Sequence, residues 1–327
     1  MRKTKVEIQS NARLHLSLFS MHDTGLRING GIGFAIEAPS IVVTASPSKK
    51  FTVSDNRDFA LSEEAQIRLI NSLETSYNLY SLDQPVAIDI YGDAIANHGF
   101  GSGTAVRLSC LEALMIMNDL DVSNSELVRL SGRGGTSGIG VNTYFSGGII
   151  LDLGVRNTNS IHGPSSLSEV NIGSSLVLQK HDMPDWDIGI CMPLSIPSVS
   201  REEEIEFFKK TCPINENESH KALYHSVTDI FASVYEHDKD SFEHGIRELQ
   251  KCAWKKAERG IHGSDLSDLE SVLYEVGATT VGMSSLGPSL FFMAKDVDDI
   301  IKLAGEKRSD WTFIKTKASN HGRKIRC

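Results

Sequence analysis

The amino-acid sequence predicts an α+β protein built in two parts. The first quarter of the chain alternates apolar and polar residues and is broken by Gly and Pro, a pattern typical of strands with one wet face. Longer segments follow in which apolar residues recur three and four positions apart, as in amphipathic helices. The chain has 327 residues, enough for two domains of roughly 150 residues each. A shift in composition near residue 180 divides it into 1–180 and 181–327.

In the N-terminal part, the pattern alternates between strands and helices. Period-two alternation predicts strands over 6–8, 14–18, 32–36, 41–43 and 86–90. A helix is expected over 61–79, where Ser62 is a typical first residue. A strongly apolar helix follows over 104–117, and a shorter one over 123–130 begins with the spacing of a capping box. The segment 141–153 returns to a strand pattern.

The C-terminal part is richer in helices. Its predicted strands cover 186–190, 279–283, 289–294 and 311–315, and its predicted helices cover 201–211, 219–237, 240–257, 265–275 and 297–303. The sequence contains no internal repeat and no low-complexity linker.

Composition excludes several classes of function. Acidic residues outnumber basic ones, 42 to 33, and the net charge of −9 disfavours binding to a nucleic-acid backbone. No run approaches the 18 or so apolar residues of a membrane span, and the N-terminus has no signal-peptide pattern, so a cytoplasmic protein is expected. The five cysteines are scattered and odd in number, which predicts reduced thiols and no structural zinc site.

The glycine-rich segment 99–104, Gly-Phe-Gly-Ser-Gly-Thr, lies between a strand and the long apolar helix. The backbone N–H groups at Gly99, Gly101 and Gly103 and the positive end of the helix would converge on one spot, as in anion sites. The hydroxyls of Ser102 and Thr104 are candidates for holding phosphate oxygens or Mg²⁺. The segment matches neither a P-loop nor a dinucleotide-binding turn. The alternative interpretation is a tight strand–helix turn.

A second glycine-rich segment, 132–140, contains Arg133. The small neighbours leave room for the guanidinium to pair with a phosphate or carboxylate through two hydrogen bonds. The alternative is a solvated arginine after a helix.

These motifs resemble those of the GHMP small-molecule kinase superfamily. Segment 99–104 is similar to its phosphate loop, 136–140 with the following Gly147-Gly148 to its second motif, and 277–287 to its C-terminal glycine motif. The resemblance spans most of the chain. It implies a ribosomal-S5-like N-terminal domain and a ferredoxin-like C-terminal domain. Many of those kinases have an aspartate as catalytic base where this chain has Gly140, and glycine cannot accept a proton.

The residues of segments 13–16, 27–33, 101–104 and 132–140 resemble those of one narrower branch of the superfamily. This branch is the β-ribofuranosylaminobenzene 5′-phosphate synthase family of methanopterin biosynthesis, with its C-nucleoside-forming relatives. This resemblance implies that phosphoribosyl pyrophosphate is joined to an aromatic acid of the 4-hydroxybenzoate or 4-aminobenzoate type. The new bond forms at the ring carbon that carries the carboxylate, and CO₂ and pyrophosphate leave.

The same resemblance assigns candidate roles. Pyrophosphate would be held by Mg²⁺ and the 99–104 loop, and the acceptor carboxylate would pair with Arg13, Arg27 or Arg133. His15 would hydrogen-bond the para substituent of the acceptor, although a strand histidine is often structural. The catalytic candidates are thus His15, Arg13 and Arg133.

The remaining candidates line the same expected cleft. Further substrate contacts are expected from Asn29, Gly30, Gly135, Thr136, Ser137, Ser284 and Ser285, and metal contacts from Ser102 and Asp152. The branch usually has aspartate at the position of Asn29, leucine at Phe100 and glutamine at Ala105. The resemblance therefore leaves the identity of the aromatic acceptor open. A homodimer is a further expectation.

Two functions of other classes compete with this interpretation. One is an ATP-dependent GHMP-type kinase, which Gly140 disfavours. The other is a non-catalytic protein that binds a phosphorylated metabolite through the same loops.

Overall fold

The computed structural model describes residues 3–158, 162–164 and 175–327. The N-terminal part contains β1 (Val6–Leu18), β2 (Arg27–Ile28), β3 (Gly31–Pro47), β4 (Thr52–Asp55), α1 (Glu63–Leu79), β5 (Val86–Gly92), α2 (Ser102–Met117), α3 (Asn124–Ser131), a 3-10 turn (Gly135–Ser137), α4 (Gly138–Ser146), β6 (Ile149–Asp152), β7 (Val155–Arg156) and β8 (Val177–His181).

The C-terminal part contains β9 (Ile188–Pro193), α5 (Arg201–Thr211), α6 (Glu216–Tyr224), a π-helical segment (His225–Phe231), α7 (Ala232–Glu236), α8 (Lys239–Gln250), α9 (Ala253–Gly260), α10 (Gly263–Glu275), β10 (Thr280–Met283), β11 (Leu290–Met293), α11 (Val297–Lys307), β12 (Trp311–Thr316) and β13 (Lys324–Arg326).

Two main sheets organise these elements. The first has seven strands in the order β13-β1-β3-β5-β4, and β6 pairs with β3 and with β8. Its pairs are antiparallel except β4 with β5. The second sheet is antiparallel in the order β10-β11-β9-β12. Both halves are therefore mixed α and β, as the sequence predicts.

The helix α2 positions the predicted phosphate loop. It is apolar on nearly all sides and is buried along its length, as expected of a helix without a solvent-exposed polar face. Its outer neighbours α1 and α3 begin at the side-chain caps Ser62 and Ser123. The reciprocal contact of the predicted capping box, from the Ser123 backbone N–H to the Glu126 carboxylate, is absent. The Glu126 carboxylate pairs with Arg129 instead.

One hydrophobic core joins the two halves. It combines inward side chains of β1 and β3, such as Leu16 and Phe34, with Ile190 of β9, Phe242 of α8 and Phe291 of β11. Separate cores lie between the first sheet and α2, and between the second sheet and α10 and α11. Because the central core is shared, the two halves pack directly against each other.

The prediction of a strand over 141–153 is wrong in its first half. Residues 138–146 form α4, and only Ile149–Asp152 is extended. The apolar residues Ile139 and Val141 suit either structure locally, and packing of this segment against β1 and β3 decides for the helix. The predicted helix over 240–257 is also two helices, since the chain breaks at Lys251 and Cys252.

The chain returns to the first sheet at its C-terminal end. The strand β13 pairs with β1, with Ile325 opposite Ile8. Nearby, Arg323 forms a two-pronged ion pair with Glu112 of α2, which also accepts a hydrogen bond from Tyr144. A division at residue 180 stays a prediction, and β13 shows that the first sheet draws on both sides of it.

No helix in the described ranges is long and apolar enough to cross a membrane.

Candidate functional site

The loop before α2 contains two glycines in a left-handed conformation. Gly101 is the N-cap of the helix and has a left-handed backbone, with φ of 69°. Gly99 is also left-handed, with φ of 90°. A Cβ at Gly99 would lie 2.2 Å from the carbonyl oxygen of Ser284. Glycine is therefore required at this point, where the loop meets the C-terminal half.

Arg13 lies alongside this loop. Its backbone N–H donates to the carbonyl of Phe100 at 3.0 Å, and its guanidinium donates to the carbonyl of Gly99 at 2.5 Å. A Cβ at Gly101 would lie 2.9 Å from Arg13 Nε, and this buried Nε has no hydrogen-bond partner among the described residues. Burial lowers the pKa of Arg13 to about 10. The guanidinium is thus desolvated and retains a free donor at the helix N-terminus.

Arg133 approaches the same helix turn from the other side. A Cβ at Gly103 would lie 3.6 Å from its Nη2. Burial and the neighbouring Arg107 lower the pKa of Arg133 to about 10. Arg107, one helical turn after Gly103, has a pKa lowered by burial and by Arg68. Desolvated arginines flanking a helix N-terminus attract phosphate groups.

The prediction missed one acidic residue of this site, Glu204 of α5. Burial raises its pKa, and Arg133, Arg201 and Arg13 oppose that rise. A carboxylate near several arginines offsets part of their charge before an anionic ligand arrives. Glu204 lies in a run of glutamates that begins α5, and such a run is typical of a solvated helix start, so the pattern gives no signal for it.

His15 lies on β1 two residues beyond Arg13. Its side chain is 3% exposed, and neither ring nitrogen has a hydrogen-bond partner among the described residues. A Cβ at Gly31 of β3 would lie 3.2 Å from its Nε2. Burial, with Arg13 and Lys255 nearby, holds the pKa of His15 well below its usual range. The imidazole is therefore neutral at pH 7 and offers one donor and one acceptor.

Ser284 and Ser285 connect His15 to the phosphate loop. Ser284 accepts a hydrogen bond from the His15 backbone N–H at 3.0 Å and donates to the carbonyl of Gly99 at 2.6 Å. The N–H of Ser285 donates to the carbonyl of His15 at 2.9 Å. The structure thus brings these predicted residues together, and the Ser284 hydroxyl is used in bridging the two halves.

A buried ion pair supports this junction from α9. Lys255 Nζ lies 2.5 Å from a carboxylate oxygen of Glu258, and the two side chains are almost wholly inaccessible. The ammonium also donates to the carbonyl oxygens of Met283 and Ser285. Trp254 donates to the other oxygen of Glu258 at 2.9 Å. Sequence reasoning missed both charges because they lie in a short, strongly charged helix, a pattern typical of a solvated surface.

The two predicted metal ligands lie on different elements. The Ser102 hydroxyl donates to the carbonyl of Ile95 at 3.1 Å. Asp152, at the end of β6, accepts from the N–H of Gly154 at 2.6 Å. Its other oxygen lies 1.8 Å from the place of a Cβ on Gly138, so only glycine fits at the start of α4. Burial raises the pKa of Asp152 to about 6.

Arg27, Asn29 and Gly30 form one wall next to β6. The guanidinium of Arg27 donates to the carbonyls of Leu153 and Gly154, which gives it a structural task. Asn29 has a left-handed backbone with φ of 64°, and its buried Oδ1 has no partner in the described part of the chain. Gly30 faces the ring of Phe19.

The glycine-rich segment 132–140 approaches both Arg13 and the loop before α2. Gly135, Thr136 and Ser137 form the 3-10 turn before α4. A Cβ at Gly140 would lie 3.6 Å from the side chain of Thr104 and 3.8 Å from Arg13 Nε. The position of the kinase aspartate therefore faces the phosphate loop, and in this chain it carries no side chain.

The chain is similar to several archaeal proteins over most of its length. No family model matches it. The beta-ribofuranosylphenol 5'-phosphate synthase of Archaeoglobus fulgidus is 27% identical over 330 residues, which cover 98% of this chain and 99% of that protein. The protein of the same name from Methanocaldococcus jannaschii is also 27% identical, with 97% and 99% covered. The resemblance to this synthase branch is confirmed.

Solved structures confirm the expected fold. Homoserine kinase from Cytophaga hutchinsonii superposes with a TM-score of 0.68 at 15% identity, covering 100% of this chain and 98% of that one. Phosphomevalonate kinase from Streptococcus pneumoniae gives 0.67 at 12% identity, covering 97% and 100%. The architecture is that of the GHMP kinases.

Proposed function

We propose that this chain is a pentosyltransferase that joins phosphoribosyl pyrophosphate to an aromatic acid, with loss of CO₂ and pyrophosphate. The observation that carries the proposal is the pair of desolvated arginines, Arg13 and Arg133, on either side of the α2 N-terminus. Similarity to the synthases over nearly the full length supports the reaction class.

The residues divide between the two substrates. The diphosphate would lie on the 99–104 loop between the arginines, where N–H groups and cations stabilise the leaving charge. The aromatic acid would lie over His15, since a neutral imidazole with two unpaired nitrogens suits a para hydroxyl or amine. The ring carbon that carries the carboxylate attacks C1 of the ribose as the bond to pyrophosphate breaks. The electrons of the departing carboxylate bond then restore the aromatic ring.

Mg²⁺ is part of the proposal. It would neutralise charge on the leaving pyrophosphate, and Mg²⁺ in such sites is bound largely by substrate oxygens and water. Among side chains, the Ser102 hydroxyl keeps acceptor capacity at the loop, and Glu204 is a half-buried carboxylate whose pKa the neighbouring arginines influence. The contacts of Asp152 with Gly154 and at the start of α4 favour a structural task for that residue.

The decisive experiment supplies phosphoribosyl pyrophosphate, Mg²⁺ and 4-hydroxybenzoate or 4-aminobenzoate labelled in the carboxyl group. We expect labelled CO₂ and pyrophosphate in equal amounts. Arg13→Gln should abolish both, and Arg129→Gln, on the exposed face of α3, should not. Release of ADP from ATP with a small alcohol, and no CO₂ from any aromatic acid, would instead establish a kinase.

A further inference from the structure

A cluster of metal-binding side chains lies away from the phosphate loop, where the N-terminal half meets α6. It consists of His22, Glu216 and His220, whose ligand atoms all lie within 4.8 Å of one another. His22 belongs to the loop between β1 and β2, and the other two residues share one face of α6 at the i, i+4 spacing. The proposed ribosyl transfer uses none of these three residues.

The buried member of the cluster lacks a partner. His22 is 8% exposed, and its Nδ1 is inaccessible and has no hydrogen-bond partner among the described residues. An unpaired buried ring nitrogen costs free energy, which ligation or an ordered partner would offset. The ring packs edge-on against that of His220, with centroids 5.6 Å apart.

The backbone around His22 is held from several sides. The carbonyl of Met21 accepts from the N–H of Ile214, just before α6. The Asn157 side chain donates to the carbonyls of Asp23 and Gly25. The loop therefore presents the imidazole to α6 before any ligand binds, and a preformed site loses little entropy on binding.

We propose that His22, Glu216 and His220 bind one divalent transition-metal ion, Zn²⁺ in the first instance, as a clamp between the two halves. Two imidazoles and one carboxylate are a common protein ligand set for zinc, with the fourth position left to water. Nitrogen ligands disfavour Mg²⁺, which prefers oxygen. The clamp is thus chemically distinct from the metal that the proposed ribosyl transfer would use.

The test is a titration of metal-stripped protein with Zn²⁺ by calorimetry, followed by thermal unfolding with and without the ion. We expect one equivalent to bind and the melting temperature to rise, because an ion that binds only the folded state stabilises it. His220→Ala should weaken binding at least about tenfold, since even outer-shell changes around metals cost that much. Its side chain is 59% exposed, so the variant should fold.

His22→Ala and Glu216→Gln should weaken binding in the same way, and Co²⁺ should give visible absorption that each variant loses. His244→Ala, at an exposed position of α8, is the matched control and should bind Zn²⁺ like the parent chain. Equal Zn²⁺ affinity in the parent, His220→Ala and Glu216→Gln proteins would overturn the proposal, as would the absence of stoichiometric binding. Neither result depends on the ribosyl transfer, which is assayed with Mg²⁺.

Discussion

Partly buried arginines lie around the first turns of α2. Arg13, Arg107 and Arg133 all have a pKa lowered by burial, so the folded protein holds them at a cost that an anionic ligand would offset. Glu204 compensates part of this charge in the absence of ligand. Strong binding of a diphosphate is the expected consequence.

Substitutions of Arg133 can test whether the paired donors of its planar guanidinium bind the phosphorylated substrate. Arg133→Lys keeps the charge but loses paired donors, so affinity for phosphoribosyl pyrophosphate should fall by about 1.5–3 kcal/mol, measured by calorimetry. Arg133→Met should cost more. Arg129→Lys, on an exposed side chain of α3, is the control and should leave the affinity unchanged. If Arg133→Met unfolds the protein while its folded fraction binds phosphoribosyl pyrophosphate normally, the role of Arg133 is structural.

The neutral state of His15 predicts a pH dependence of stability. Because its folded pKa lies below the unfolded value of about 6.5, the unfolded chain binds the proton first as the pH falls. Stability should therefore be constant above pH 7 and decrease below about 6.5, by at most about 1.4 kcal/mol per pH unit for this group. His15→Gln should make urea-unfolding curves less sensitive to acid, whereas His244→Gln should not. An unchanged acid slope in His15→Gln would contradict the assignment.

The sequence suggests some candidate site residues and hides others for a physical reason. Arg133 lies in the glycine-rich segment 132–140, and Arg13 and His15 alternate on a predicted strand whose residues resemble the synthase branch. Glu204, Lys255 and Glu258 lie in helices whose charge patterns are typical of solvated faces, and only the tertiary packing buries Lys255 and Glu258 and half-buries Glu204. Arg27 was expected at the acceptor but hydrogen-bonds backbone carbonyls.

At the scale of elements, the loop before α2 depends on a left-handed residue beside a functional side chain. Gly101→Ala should cost about 1–2 kcal/mol in backbone strain, and its new methyl group would displace Arg13. Gly263→Ala is a matched control, because Gly263 is also left-handed, with φ of 60°, but has no atom within 4 Å of its Cβ position. Both variants should lose similar stability in urea. Only Gly101→Ala should lose affinity for phosphoribosyl pyrophosphate, and equal affinities would refute the role of the loop.

Element types were predictable where local signals agreed. Helix α5 matches the predicted 201–211 because Ser200 and Glu203 form a capping box before it. The start of α4 was not predictable, since Gly138 is required there by Asp152 from a distant strand. The strand pattern at 6–8 and 14–18 belongs to one strand, and a bulge between Asn11 and Ala12 interrupts the alternation.

At the scale of the whole molecule, the Lys255–Glu258 pair should determine how firmly the C-terminal half holds the site. Glu258→Gln leaves a buried ammonium without its counter-charge and should cost about 3–5 kcal/mol in the free energy of unfolding. Lys255→Met combined with Glu258→Gln removes both charges and should recover part of that loss. Denaturant unfolding measures both. If the Glu258→Gln protein is as stable as the parent chain, the Lys255–Glu258 pair is solvated.

The strands and helices were predictable from pattern, whereas the core that joins the two sheets was not. Period-two and helical segments predict sheets and helices one by one, but Leu16, Ile190 and Phe291 come from distant parts of the chain. Only the assembled fold shows that they pack together. The glycine-rich loop accordingly contacts the C-terminal half, where Ser284 donates a hydrogen bond to the carbonyl of Gly99.

The pairing of β13 with β1 has a consequence for biosynthesis. A ribosome delivers residues 7–9 of β1 early, but β13, which covers their outer edge, emerges more than 300 residues later. Until then the nascent chain exposes the backbone edge of β1, a surface prone to association with other strands. It also leaves Glu112 buried without Arg323. Completion of the first sheet thus awaits translation of residues 324–326, and chains that terminate before residue 323 would be substrates for quality control.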